Sequence, residues 1–292
     1  MRSSERSIYH FGVIIVAFGI LTINAQAQTP QPSPKPRTSS PTLESQFFKN
    51  ILSDQKAIWT APFHLQRRDA RWLAPLGLGT AALIATDRDT ADEIAKFHRQ
   101  LNASRTISYI GSDYGVGTIV GTFYLIGRTT HNDRARETGV LGAEALIDSG
   151  IVVTALKEIS QRRRPRAGKE RGDFFERGTS FPSGHSIEAW SLATVIANEY
   201  HDHRLVQLTA YGLASAVSVA RFTGRNHFLS DILVGSAMGY GIGRYVYRAH
   251  HVKPASAVSE EESLKRARRW PMIAPDYSPR AREYGVSLAW SF

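Results

Sequence analysis

Apolar residues recur along this chain with helical length and spacing in seven segments: about Leu43 to Trp59, Trp72 to Ala85, Ile107 to Ile126, Val140 to Ile159, Ser186 to Tyr200, Leu205 to Arg221 and Phe228 to Tyr247. Strand-like alternation is almost absent among them, so the pattern predicts an all-α helical bundle. Small residues four apart, Gly117 with Gly121 and then Gly235, Gly239 and Gly243, allow close approach of helix backbones. Membrane helices use the same spacing, so length has to decide. The longest charge-free core stretch, Leu205 to Ala220, falls short of the ~18 residues a span usually needs, and Asp113, Glu144, Asp148 and Glu188 interrupt the others. A soluble or membrane-surface domain is favoured over an integral one.

The flanks of this core read differently. Residues 1–27 have the three parts of a secretory signal: Arg2 and Arg6, an apolar run from Phe11 to Ile23, and the small-residue site Ala25-Gln26-Ala27. The run is short for a span of ~20 residues, so cleavage and export to a bacterial periplasm are expected, with an uncleaved inner-membrane anchor as the alternative. Residues 28–42, rich in Pro, Ser, Thr and Gln, read as a linker. The folded core should occupy 43–250 and be followed by a tail over 251–292. That tail is basic as far as Arg269, and headgroup binding is its minority reading against a solvated helix or loop. From Tyr284 to Phe292 large apolar and small residues alternate, which predicts a short strand or hairpin docked on the bundle. A membrane barrel needs at least ~8 strands and is not supported.

Composition narrows the chemistry. The 292 residues suit one main domain, and the formal charge of +10 favours anionic partners. Neither zinc-finger spacing, a basic zipper nor an aromatic-basic stacking segment is present, so no nucleic-acid partner is expected. With no cysteine, disulfides and thiolate metal sites are excluded.

Three clusters carry candidate chemistry. In the first, Lys157 and Arg164 stand seven apart, ~20° around a helix axis, and Pro165 should stop that helix near Arg164 so that both cations reach one point. A charged helix end suited to the macrodipole is the alternative. In the second, Ser180-Phe181-Pro182-Ser183-Gly184-His185 precedes a helix whose first amides lack partners. Gly184 admits an oxyanion, the Ser183 hydroxyl can donate, and His185 can protonate a leaving oxygen; an ordinary capped turn is the alternative. In the third, Arg221 closes one helix while His227 and Asp231, four apart, open the next. That spacing lets the carboxylate accept the Nδ1 proton, leaving Nε2 as a nucleophile; a solvated helix start is the alternative. Together the clusters hold what phosphoryl transfer requires, which is mostly positioning and charge stabilisation, and Lys157, Arg164 and Arg221 can do work that other enzymes give to metal ions.

These residues, in this order, resemble the type 2 phosphatidic acid phosphatase (PAP2) and vanadium haloperoxidase superfamily, whose signature is Lys, six residues, Arg-Pro; then Pro-Ser-Gly-His; then Ser-Arg, five residues, His, three residues, Asp. Lys157, Arg164 and Pro165, then Pro182 to His185, then Arg221, His227 and Asp231 match it. The resemblance implies a helical bundle, a phosphohistidine at His227, acid catalysis by His185, and a phosphate held by Lys157, Arg164, Ser183, Gly184 and Arg221. Ala220 departs from the family's Ser and removes one hydroxyl. The implied activity is a phosphatase acting on phosphomonoesters or diphosphates, either lipid phosphates or small soluble esters. It would use no metal and no cofactor, and vanadate would act as inhibitor or phosphate mimic. A vanadium-dependent haloperoxidase and a non-catalytic anion or lipid binder are the alternatives. Glu144 and Asp148, one turn apart, either brace the site's cations or lie on a solvated helix face.

Overall fold

The computed structural model describes residues 43–96, 100–168, 172–251, 272–278 and 283–289. The expected export segment, the 28–42 linker and the basic run from Lys265 to Arg269 lie outside the described residues. Eight α-helices occur among those described: α1 Leu43–Thr60, α2 Ala70–Ala95, α3 Gln100–Ile110, α4 Asp113–Thr130, α5 Asp133–Ser160, α6 Gly184–Glu199, α7 Arg204–Thr223 and α8 Leu229–His250. The Ile107 to Ile126 segment, expected as one helix, is two. At Gly111 a Cβ would come within 2.2 Å of Val217, so the chain is pressed against α7 there. Ser112 then caps α4, its hydroxyl accepting from the Gly115 amide at 3.3 Å. Helix α2 also outruns its apolar stretch, reaching Ala95, because polar Asp87 is buried inside the protein rather than solvated.

α6 is the central helix. Its Leu192 and Ile196 join Val116, Val120, Ala214 and Val217 in one apolar cluster, and its Ile187 and Val195 join Leu141, Val152, Ile242 and Val246 in another. Such two-sided burial is what a helix apolar around most of its girth requires. The α6–α8 contact depends on missing side chains: a Cβ at Gly239 would stand 2.2 Å from the Ile187 carbonyl oxygen, and one at Gly243 2.3 Å from that of Ser191. The other expected pair behaves differently. Nothing lies within 4 Å of a Cβ at Gly117 or Gly121, and α4 meets α5 instead at Gly127 and Gly139, where a Cβ would run into the backbone of Arg136 and Tyr124.

Helices α5 and α7 are long and apolar enough to cross a membrane by length and composition. The sequence count fell short because it stopped at charges that the structure folds inward on α5. Large apolar side chains are exposed on α7 (Leu205, Leu208, Val219) and on α2 (Trp72, Leu78). Near the C-terminus, β1 (Met272–Ser278) and β2 (Glu283–Ala289) pair antiparallel, with Met272 opposite Ala289 and Ser278 opposite Glu283. The alternating segment is therefore the second arm of a hairpin; its last residues, 290–292, and the side chains by which it would dock lie outside the described residues.

Candidate active site

Helix α5 stops four residues before the point expected from Pro165. Gln161 takes a left-handed conformation (φ 45°) and its amide closes on the Lys157 carbonyl at 2.9 Å. Lys157 is thus helical, whereas Arg164 comes from the following loop, so the shared-face geometry is replaced by a turn. That loop is stitched to the segment before α6: Arg163 N–H donates to Asp173 O at 2.9 Å, and Ser180 N–H to Arg162 O at 2.8 Å.

Ser183 caps α6 by position, yet its side chain makes no capping bond. Its Oγ accepts from Ser186 Oγ at 2.9 Å, so its own proton is not committed to the helix. The first intrahelical bond is made by the Ile187 amide to Ser183 O at 3.0 Å, which leaves the amides of Gly184, His185 and Ser186 ahead of it. A Cβ on Gly184 would sit 3.1 Å from Lys157 Nζ. Glycine therefore lets the ammonium rest against the mouth of the turn, and the lysine and the amide nest address one volume.

The third cluster is held by bonds that spacing alone does not reveal. His227 is 2% exposed, and its Nδ1 lies 2.7 Å from the carbonyl oxygen of Ser180 but 3.5 Å from Asp231. The expected carboxylate bond is thus replaced by a carbonyl bond. A carbonyl only accepts, so Nδ1 carries the proton and Nε2 keeps its lone pair. Asp231 is occupied elsewhere: Oδ2 accepts from Ser180 Oγ at 2.5 Å and from the Phe228 amide at 2.9 Å, while Oδ1 accepts from Arg162 Nη1 at 2.6 Å. Arg162 itself is 1% exposed, donates to Asp87 at 2.9 Å and to Ser230 at 2.7 Å, and lies between the rings of Phe174 and Phe228. The sequence offered Arg162 only as one of three consecutive arginines.

Electrostatics around the turn is dominated by crowded positive charge. Burial, then Arg164, lowers Lys157; burial lowers Arg164 against the pull of Asp231; burial, then Arg164 and Arg166, brings Arg221 down to about 10. Burial, then Arg221 and His227, brings His185 down to about 4, and burial lowers His227 as well. Burial is the first cause in every case, and the mutual repulsion of Lys157, Arg164 and Arg221 adds to it, which a bound anion would offset. On the other side, burial and the neighbouring Asp113 push Glu188 up to about 8 against the attraction of Lys157. Beside the turn opens a cavity of about 410 Å³ lined by Arg105, Ser108, Tyr109, Arg166, His185, Arg221 and Arg225, among others. Of the sequence-derived residues His185 and Arg221 line it. Ala220 is buried at the end of α7. Glu144 and Asp148 neither brace these cations nor face solvent, for both are buried against α1 and accept from Asn50 and Gln55.

Residues 139–254 match the family model described as the PAP2 superfamily. Over 69 residues the chain is 33% identical to the lipid A 1-phosphatase of Porphyromonas gingivalis, a match taking in 23% of this chain and only 16% of that relative. Among solved structures it is similar to a transmembrane PAP2-type phosphatidylglycerolphosphate phosphatase from Bacillus subtilis, at 22% identity and a TM-score of 0.49, over 62% of this chain and 98% of that one. It is also similar to LpxE of Aquifex aeolicus, at 18% identity and a TM-score of 0.41, over 52% and 87% of the two chains.

Proposed function

Residues 139–254 belong to the PAP2 superfamily, and from that premise we propose that this chain is a phosphatase working through a phosphohistidine at His227, with no metal ion in the reaction. One observation supports this most: the bond from Nδ1 to the Ser180 carbonyl, 2.7 Å, which leaves Nε2 its lone pair on an imidazole that Arg221 and Arg164 both act on. The phosphate oxygens lie in the nest of Gly184, His185 and Ser186 amides and accept from Ser183 and the three cations. Nε2 attacks phosphorus as the bond to the leaving oxygen breaks, and His185 gives that oxygen a proton. Water then attacks the phosphohistidine with His185 taking its proton, which returns both imidazoles to their starting states. Asp231, 3.5 Å from His227, favours the cation formed on phosphorylation. Three charge-assisted contacts, roughly 1.5–3 kcal/mol each, supply the charge stabilisation that a metal provides elsewhere. No cofactor is required, and vanadate competes for the same nest.

The substrate is a lipid phosphate. The Porphyromonas gingivalis relative is named for lipid A, and the surface of this chain suits a bilayer. From the end of α1 to the start of α2, exposed Trp59, Phe63 and Leu65 are followed by Arg67, Arg68 and Arg71 and then by exposed Trp72, a mixture of aromatic and basic groups suited to a headgroup boundary. Export by residues 1–27 would place the protein at the periplasmic face of a bacterial inner membrane. The test is phosphate release by purified protein from lipid phosphates in mixed micelles and from soluble esters, with EDTA present throughout. Release from lipid phosphate that His227→Ala abolishes is the expected result. Turnover that EDTA stops and a divalent ion restores in the reaction itself, or vanadate-dependent halogenation without phosphate release, would overturn the reading.

A further inference from the structure

Away from the phosphate pocket, α1, α5 and the end of α8 enclose a second polar cluster. Asp54 on α1 and Glu144 and Asp148 on α5 are each 0% exposed, and His250 Nε2 lies 2.8 and 2.9 Å from the two carboxylate oxygens of Asp54. Asn50 donates to Glu144 Oε1 at 2.9 Å and Gln55 to Asp148 Oδ1 at 2.8 Å. Each amide therefore fixes one oxygen of its carboxylate, as outer partners of metal ligands do. The other oxygens, Glu144 Oε2 and Asp148 Oδ2, are buried with no hydrogen-bond partner among the described residues.

Three carboxylates and one imidazole leave negative charge in excess even with His250 protonated, and buried charge without compensation is costly. Burial and the neighbouring Asp54 push Asp148 up to about 7, and burial raises Glu144. Asp148 lies beside Asp54, where one proton can serve both carboxylates, whereas Glu144 accepts from Asn50 alone among the described residues. Proton sharing thus relieves one orphaned oxygen and not the other. One ligand atom each from Asp54, Glu144 and His250 lies within 4.8 Å of the others. Around a tetrahedral zinc with bonds of ~2.0–2.2 Å, donor atoms stand ~3.3–3.6 Å apart, so small side-chain adjustments suffice.

We propose that Asp54, Glu144 and His250 bind a divalent transition cation of the zinc type, which ties α1 to α5 and α8, with Asp148 adding negative charge behind it. A mixed imidazole and carboxylate set suits zinc or manganese better than magnesium or calcium, which take oxygen ligands. The ion is structural and takes no part in phosphoryl transfer.

The test uses the whole purified chain, stripped with EDTA and desalted, then titrated with zinc chloride by calorimetry and followed by thermal unfolding. Zinc at about a hundredfold over Kd should raise Tm by roughly 5–10 °C. Glu144→Gln keeps the bond from Asn50 and the side-chain volume. It should lose one equivalent of zinc and the Tm response, while phosphate release well below Tm stays as in the parent. Glu199→Gln controls for a second grouping of Glu137, Glu199 and His251 and should leave the Asp54 equivalent in place. Absence of saturable binding, an unmoved Tm, or a Glu144→Gln protein that binds and responds as the parent does would overturn the proposal. A Glu144→Gln protein more stable than a zinc-indifferent parent would assign the cluster to shared protons instead.

Discussion

His185 is held neutral at pH 7 by its surroundings, with burial and the charges of Arg221 and His227 bringing it down to about 4. The sign of the consequence is fixed: a depressed imidazole is protonated only at low pH, so its capacity to act as a general acid in the free protein declines about tenfold per pH unit above that value. Esters with poor leaving groups need that proton, and p-nitrophenyl phosphate needs it least. The ratio of kcat/KM for an alkyl phosphate to that for p-nitrophenyl phosphate should therefore fall as pH rises from 5 to 8. His185→Ala should lower the alkyl rate ~10²–10⁴-fold and flatten the trend. A ratio independent of pH in the parent would remove His185 from the acid role. The grouping of residues at the turn was legible in the sequence because three short motifs carry it. The partner of His227 was not: spacing of four pointed to Asp231, and the carbonyl that binds Nδ1 belongs to Ser180, 47 positions away, where no side-chain type announces it.

At the scale of elements, Arg162 connects what would otherwise be separate pieces. Its guanidinium joins Asp87 of α2 to Ser230 and Asp231 of α8, and its Nε donates to the Gly172 carbonyl in the intervening loop at 3.1 Å. Removing one member of a buried ion cluster strands the others, at a cost of ~3–5 kcal/mol. Arg162→Ala is expected to show that loss in urea unfolding and to slow turnover even where it remains folded, because Asp231 then loses its anchor. Arg162→Lys should recover only part of the stability, since an ammonium cannot fork between two carboxylates or fill the gap between two rings. Equal stability of Arg162→Ala and the parent would contradict this role. Helix positions were legible from apolar spacing, but two of their ends were not. The early stop of α5 depends on Gln161 adopting a positive φ so that Arg162 turns inward, and the break at Gly111 depends on the proximity of Val217, both properties of packing rather than of local pattern.

In the whole molecule, three of the four charged residues that interrupted the apolar segments, Glu144, Asp148 and Glu188, turn inward, while Asp113 stays exposed at the start of α4. Glu144 and Asp148 are buried against α1, and Glu188 faces Asp113 and Lys157 beside the nest. A single sequence shows that such charges exist but not which face turns inward, so the bundle was legible while its polar interior was not. The architecture brings the end of α5, the start of α6 and the α7–α8 junction together. Ser183 N–H donates to Asp231 O at 3.0 Å and His227 N–H to Arg221 O at 3.3 Å, so the second and third clusters share a backbone frame. Everything proposed for this frame requires His227 Nε2 to take up the phosphoryl group. The direct measurement is rapid quench of the purified protein during turnover of a lipid phosphate, followed by intact mass and peptide mapping under conditions that preserve phosphohistidine. A single phosphoryl group on His227, absent in His227→Ala and accumulating in His185→Ala when p-nitrophenyl phosphate, which needs the acid least, replaces the lipid, is the predicted result; steady turnover with no phosphorylated His227 in either the parent or His185→Ala would contradict it.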